Sequence, residues 1–363
     1  MSKICSVGIY EPPFEIEQDT TVEFAKELFQ ESFRDIKRLL TVFQNGEIKK
    51  RHFANDLSWF QQDHSFGEKN DIYISKAVEY GCEAIKACLH NDYFLKTPVE
   101  YSEIEAIFYI SSTGLSTPSI EARIMNVLPF SSHTKRIPIW GLGCAGGASG
   151  LSRAYEYCKA FPTAKVLVLT VELCSLTFQR NDRSKSNLIG TSLFADGVAC
   201  ALIAGNEATE VDQSKLKYLP TVIDTQSTTM KNSEEVMGWD LKNEGLFVIF
   251  SKDIPMIIRS WLGPNVQDFL KKNNLQIENI DHFIAHPGGK KVLEAYKDSL
   301  SMNAEKIQTS FDVLKEYGNM SSSTVLYVLK RFMESNCKKG DYGLATALGP
   351  GFSSELLLLQ WGD

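Results

Sequence analysis

Trp140-Gly141-Leu142-Gly143-Cys144-Ala145-Gly146-Gly147-Ala148-Ser149-Gly150 decides how this chain is read. It closes an apolar run, Arg136–Trp140, expected as a buried strand, and leads into the amphipathic stretch Leu151–Lys159, expected as a helix. Glycine on both sides of Cys144 permits a tight strand-to-helix turn with close backbone approach. Such a turn sets the sulfur near a helix N-terminus, where the positive end of the dipole favours thiolate, the nucleophilic form. The geometry suits covalent thioester chemistry. A buried cysteine in a seam of small residues is the plainer alternative.

Working outward, short apolar runs alternate with helical periodicity. Strands are expected at Ile104–Ser111, Ala164–Glu172 and Gly197–Ala204. Helices are expected over Thr20–Leu40, with Val22, Ala25, Phe29, Phe33, Ile36 and Leu40 in step, and over Ile72–Leu89. The later chain repeats the theme: strand-like Gly245–Phe250, helical Lys252–Asn273, strand-like Asp281–Ala285, a helix from Asn319 to about Ser335, then strand-like Tyr342–Leu348 and Glu355–Trp361. This is α/β with buried sheets. Both parts close on a pair of β-like segments, so two related halves are expected, 1–214 with the cysteine and 215–363 without it.

Composition narrows the function. The 363 residues are 43% hydrophobic and 23% charged, and 45 acidic side chains outnumber 38 basic ones, for a net charge of −7. That balance disfavours nucleic-acid binding. No run reaches the roughly 20 apolar residues of a membrane span. The start of the chain, Lys3 and a mixed segment ending at Glu11-Pro12-Pro13, does not read as a signal peptide, and a cytoplasmic protein is expected. The eight cysteines (Cys5, Cys82, Cys88, Cys144, Cys158, Cys174, Cys200, Cys337) come no closer than six residues apart, which argues against structural zinc. No metal is expected.

Six histidines compete to partner Cys144. His52, His64, His90 and His133 lie among polar or turn residues and are expected at the surface, and His282 reads as a structural histidine within a strand. His286 stands apart. It ends the apolar run Phe283-Ile284-Ala285 and precedes Pro287-Gly288-Gly289, at the C-terminal end of a strand where α/β folds hold ligands. Asn319 opens a helix after Gly318, within Tyr317-Gly318-Asn319-Met320-Ser321-Ser322-Ser323, where an ordinary N-cap is the alternative reading.

In order and spacing, Gly143-Cys144-Ala145-Gly146-Gly147, His286-Pro287-Gly288-Gly289, Tyr317–Ser322 and the late Gly349-Pro350-Gly351 loop resemble the thiolase-fold condensing enzymes, specifically type III polyketide synthases of the chalcone synthase kind. Glu172 after its strand and Leu193-Phe194-Ala195-Asp196-Gly197 add to the match, which looks closest to Bacillus-type alkylpyrone synthases. The resemblance implies a five-layer αβαβα unit, a homodimer, and no cofactor beyond the CoA thioester substrates. It implies Cys144 as nucleophile, acylated by an acyl-CoA starter. His286 would hold the thiolate and, with Asn319, stabilise the enolate of malonyl-CoA. Phe194 would guard the passage between CoA channel and cavity, and Gly288, Gly289, Ser321, Gly349, Pro350 and Gly351 would border the substrate. Thr113, Thr117 and Cys174 would line a tunnel for a long fatty acyl chain, ending in pyrone or resorcinol closure.

Departures accompany the match. Basic contacts to CoA fall near Thr41 and Asn45, leaving Arg34, Lys37, Arg38, Lys49, Lys50 and Arg51 as substitutes. Ala347-Leu348 precede the late glycine loop, and Thr117 stands where plant enzymes carry a methionine that reaches the neighbouring subunit. Three other readings stay open. An initiating β-ketoacyl carrier-protein synthase also uses Cys, His and Asn, but usually follows its histidine with Gln-Ala-Asn. A Cys-dependent acyl-CoA hydrolase would end with water. A non-enzymatic scaffold would have no use for the three polar residues.

Overall fold

The computed structural model describes residues 2–30, 36–208 and 213–362. Its strands, in chain order, are β1 (Ser2–Tyr10), β2 (Phe14–Glu17), β3 (Lys50–Phe53), β4 (Ala106–Ile110), β5 (Lys135–Ile139), β6 (Lys165–Leu173) and β7 (Asp196–Gly205), then β8 (Leu219–Thr229), β9 (Met237–Lys242), β10 (Gly245–Phe250), β11 (His282–Ala285), β12 (Tyr342–Gly349) and β13 (Ser353–Gly362). Nine of them form one sheet in the order β11-β12-β13-β8-β1-β7-β6-β4-β5. Outward from the β1–β8 junction the two sides follow the same rule. β1–β7 and β7–β6 are antiparallel and β6–β4 parallel; β8–β13 and β13–β12 are antiparallel and β12–β11 parallel.

Two helices, Gly146–Ala160 and Thr324–Met333, touch strands on both sides of that junction and form the central layer. Outer helices complete an αβαβα stack: Phe66–Leu89 against β1, β6 and β7, and the Ile254–Lys272, Lys290–Ser299 and Gln308–Tyr317 group on the far side. Each outer group has its own apolar core. This is the thiolase-like α/β fold.

Several expected elements shift, each for a physical reason. The single helix expected over Thr20–Leu40 is two, Gln18–Phe29 and Ile36–Asn45, while Phe33 and Arg34 lie outside the described residues. Phe66–Leu89 starts a turn and a half earlier than its apolar face suggests, because Ser65 and Glu68 form a reciprocal capping box. The helical stretch Ile254–Lys272 passes through a π-helical segment, Ile258–Leu262. β5 is not buried: it is the edge strand, largely solvent-facing, with Lys135 and Pro138 in it. β10 pairs with β9 in a separate hairpin. No described helix is long and apolar enough to cross a membrane.

β1, at the centre of the sheet, lies in a segment that Lys3, Ser6 and Gly8 keep from reading as an apolar run. Gly8 is there because the helix Phe66–Leu89 lies on the strand: a Cβ at position 8 would stand 2.3 Å from Cys88 N and 2.5 Å from Ala87 C. Those are backbone atoms of a packed helix, which cannot yield as a side chain can. Gly8→Ala is therefore expected to destabilise the fold by about 1–3 kcal/mol or more, read as a lower midpoint in urea or thermal unfolding.

Candidate active site

The site starts from backbone geometry. Gly141 and Gly143 adopt φ of 90° and 47°, left-handed values that favour glycine, and turn the chain from β5 into a short 3₁₀ segment, Gly143–Ala145, continuous with the helix Gly146–Ala160. Cys144 therefore sits at a helix N-terminus, as its glycine context predicts. It is 6% exposed. Pro350 closes over the turn, its Cδ 2.7 Å from where a Cβ of Gly143 would stand. Gly349 approaches from the end of β12, where a Cβ would meet Leu142 O at 2.4 Å.

Asn319 faces this turn. Its Oδ1 is 4.0 Å from Cys144 Sγ and accepts from Ser321 N at 2.9 Å, and its Nδ2 donates to Gly288 O at 3.2 Å. Its main chain is pinned too: Asn319 N donates to Leu193 O and Ala195 N to Asn319 O, each at 2.9 Å. His286 ends β11, its N bonded to Thr346 O at 2.8 Å. The imidazole is 2% exposed, and neither ring nitrogen finds a partner among the described residues. Two orphan nitrogens so deeply buried point to a ligand or a reacting group. Gly288, which bonds Asn319, lies two residues on, and Gly289 opens the helix Lys290–Ser299.

Electrostatically the site is dry. Burial pushes the Cys144 thiol up to about 12, against opposing hydrogen bonds from Ser321 and Asn319, and drives His286 down to about 3. Each group alone is neutral at pH 7. A thiolate forms here by passing the thiol proton to the imidazole, the resulting ion pair being stabilised by mutual attraction at low dielectric. Glu172, raised to about 7 by burial, accepts from Ser322 Oγ at 2.5 Å and Ser112 N at 3.1 Å.

Cys144, Ser112, Phe194, Trp239, Phe250 and Pro350 are among the walls of a cavity of about 330 Å³, which Ser321 also lines. A second cavity, about 530 Å³, lies beyond Phe194 and Val248, which border both; Phe24, Arg51, Phe60 and Cys174 also line it. The three expected tunnel residues are not brought together. Cys174 lines the larger cavity, Thr113 a separate space of about 230 Å³ while accepting from Leu173 N, and Thr117 is exposed in this chain. Gly351, with φ of 131°, is exposed at the tip of its loop.

Of the basic candidates, Arg51 is not at the surface. It is fully buried, because β3 turns it inward on the same face as Phe53. Lys50 pairs with Glu15 at 2.6 Å, Lys49 and Arg38 are exposed, and Arg34 and the Lys37 side chain lie outside the described residues. Thr41 and Asn45 are exposed on the helix Ile36–Asn45. His52 is buried rather than exposed, its Nδ1 2.9 Å from Pro12 O, and His64 is half-buried, stacked on Trp59. His90 and His133 are exposed, and His282 bonds Asp341 at 2.8 Å. Sequence reasoning passed over Trp239, which the hairpin β9–β10 brings to the site; its signal was the turn Asn243-Glu244-Gly245 between two β-like runs.

With this geometry in hand, comparison with known proteins is consistent along the whole chain. Residues 26–207 match the family model for chalcone and stilbene synthases, N-terminal domain, and residues 222–361 the C-terminal domain. A putative chalcone synthase of Bacillus subtilis (strain 168) is 54% identical over 362 residues, covering 99% of each chain. A 1,3,6,8-tetrahydroxynaphthalene synthase of Streptomyces peucetius subsp. caesius is 31% identical, covering 99% of this chain and 93% of its own. The crystal structure of 1,3,6,8-tetrahydroxynaphthalene synthase from Streptomyces coelicolor A3(2), a bacterial type III polyketide synthase, superposes with a TM-score of 0.91 at 26% identity over 99% of both chains.

The acid–base arrangement has a direct test. Without the imidazole, only burial acts on the thiol, and burial raises it. Iodoacetamide alkylation of Cys144, followed by peptide mass spectrometry, should shift to higher pH in His286→Ala than in the parent. An unchanged profile would reject His286 as the proton acceptor.

Proposed function

Because the chain belongs to the chalcone and stilbene synthase family and is a type III polyketide synthase, a condensing acyltransferase, we propose that it extends a long fatty acyl starter on Cys144 with malonyl-CoA and releases alkylpyrone-type products. The observation that carries the starter is the cavity of about 530 Å³ beyond Phe194, bordered by Phe24, Phe60 and Cys174 and sized for a small-molecule chain. Each methylene buried there contributes roughly 0.8 kcal/mol, so occupancy ranks starters by length until the space is full. The smaller cavity at Cys144, walled by Phe194, Trp239 and Phe250, favours few extensions.

The chemistry follows from the site. His286 accepts the Cys144 proton; the thiolate attacks the starter carbonyl and CoA leaves with a proton. Malonyl-CoA then loses carbon dioxide, and the enolate oxygen is held by His286 and by the Asn319 Nδ2 hydrogen not used on Gly288. The enolate carbon attacks the Cys144 thioester, a carbon–carbon bond forms, and the cysteine thiolate is released. After further rounds an enol oxygen closes on the terminal thioester carbonyl and expels CoA, giving the pyrone. Nothing in this sequence calls for an organic cofactor or metal. Trp140, after the open edge strand β5, is 51% exposed and supports a homodimer across this edge.

Three outcomes are expected. Cys144→Ala should abolish product, and Asn319→Ala should lower the condensation rate by about 10²–10³, the usual consequence of removing one oxyanion donor. In an acyl-CoA panel with malonyl-CoA read by product mass, the parent should prefer long starters, and Cys174→Phe should shift preference to short ones; a parent limited to short starters would overturn the long-chain reading. Light scattering should return twice the 40.7 kDa chain mass.

A further inference from the structure

Arg51 is a buried cation with half of its donors in use. Its Nη1 donates to the carbonyl oxygens of Thr191 and Phe194, each at 2.7 Å, and its guanidinium lies 5.2 Å from the Phe53 ring centroid. Its stem fills the space a Gly318 side chain would need, with Arg51 Cγ 2.8 Å from that Cβ position. Nε and Nη2 are equally buried and have no acceptor among the described residues. Asp196, the carboxylate nearest in influence, is engaged by Ala54 N, Ser175 N and Ser175 Oγ at 2.6–2.7 Å. Arg51 lines the larger cavity, whose other walls are mainly aromatic and aliphatic.

A wholly hydrocarbon occupant leaves two N–H groups of a cation dehydrated and unpaired, the expensive case for a buried donor. An occupant carrying a hydroxyl or carbonyl oxygen pairs them. We propose that Arg51 is a specificity-determining residue that reads an acceptor oxygen on the acyl chain held in this cavity, so that hydroxy- or oxoacyl chains are favoured over unsubstituted chains of equal length. The inference rests on the reading of this cavity as the acyl-chain site. The oxygen has two sources: the starter, or the ketone left at the third carbon by the enzyme's own first condensation.

The test measures acylation of Cys144 in the full-length enzyme by intact-protein mass, without malonyl-CoA. Dodecanoyl-CoA competes at equal concentration with 3-oxododecanoyl-CoA, and with hydroxydodecanoyl-CoAs whose hydroxyl moves along the chain. At least one oxygenated chain should win by about tenfold or more, the scale of a hydrogen bond to a charged group. Arg51→Lys, which keeps a cation but not the guanidinium fork, should bring that ratio towards unity. Preference confined to the 3-oxo chain assigns the oxygen to the enzyme's own condensation; preference at a further carbon assigns it to the starter. A parent enzyme that loads dodecanoyl-CoA as readily as every oxygenated partner overturns the inference and leaves the long-chain reading standing. An Arg51→Lys enzyme that keeps the full preference overturns the role of Arg51. If acetyl-CoA acylates Cys144 and no long chain does, the long-chain reading fails and the inference with it.

Discussion

Three chain segments converge on the Cys144 turn at distances that leave no room for a side chain. A Cβ at Gly147 would stand 2.1 Å from Ser322 O, one at Gly349 2.4 Å from Leu142 O, and one at Gly143 2.7 Å from Pro350 Cδ. The glycines are thus more than a permissive turn: they let the central helix of one half touch the Asn319 segment and the late glycine loop of the other. Everything that faces Cys144 depends on that approach. Were the helix Gly146–Ala160 displaced by a single methyl group, the 4.0 Å separation of Cys144 Sγ from Asn319 Oδ1 would change with it.

The same close packing makes the interior dry, and dryness sets the chemistry. Cys144, His286, Glu172 and Arg51 are all buried, and burial moves each towards its neutral form. Their partners differ. Glu172 is satisfied by serine donors, and Arg51 is half-satisfied by backbone carbonyls. His286 has no ring partner among the described residues. Native interiors tolerate few unpaired polar groups, so the two that keep free donors or acceptors, His286 and Arg51, mark the two places where a substrate completes the structure. One lies in the motif around the nucleophile's partners and the other beyond Phe194.

Local signals carried the outline of the site. Cys144, His286 and Asn319 were legible because each occupies a glycine-punctuated end of an apolar run, and apolar runs are how buried strands announce themselves. What escaped was whatever depends on juxtaposition. β1 was hidden because a central strand crossed by a close helix needs Gly8, which breaks the apolar pattern. Arg51 was hidden because Lys49-Lys50-Arg51 looks like a solvated basic run, and only its strand parity with Phe53 hints that the third member points inward. The larger cavity was hidden because its walls, among them Phe24, Arg51, Phe60, Cys174, Phe194 and Val248, come from segments far apart in the chain. Placing Thr117 beside Cys174 failed for the same reason: sequence order says little about which side of β4 a following loop faces.

Phe194 is where these strands of argument meet, since its ring borders both cavities. Its main chain is held from several directions. Phe194 N donates to Gly190 O and Phe194 O accepts from Arg51, while the residues on either side bond the main chain of Asn319. A backbone so restrained cannot swing as a lid. Traffic between the cavities is left to rotation of the ring, whose neighbours Trp239 and Phe250 lie at centroid distances of 5.9 and 5.6 Å. Aromatic rings at such spacing trade contacts at small energetic difference. The passage can therefore open and close while Asn319, bonded to the same stretch of chain, keeps its place beside Cys144.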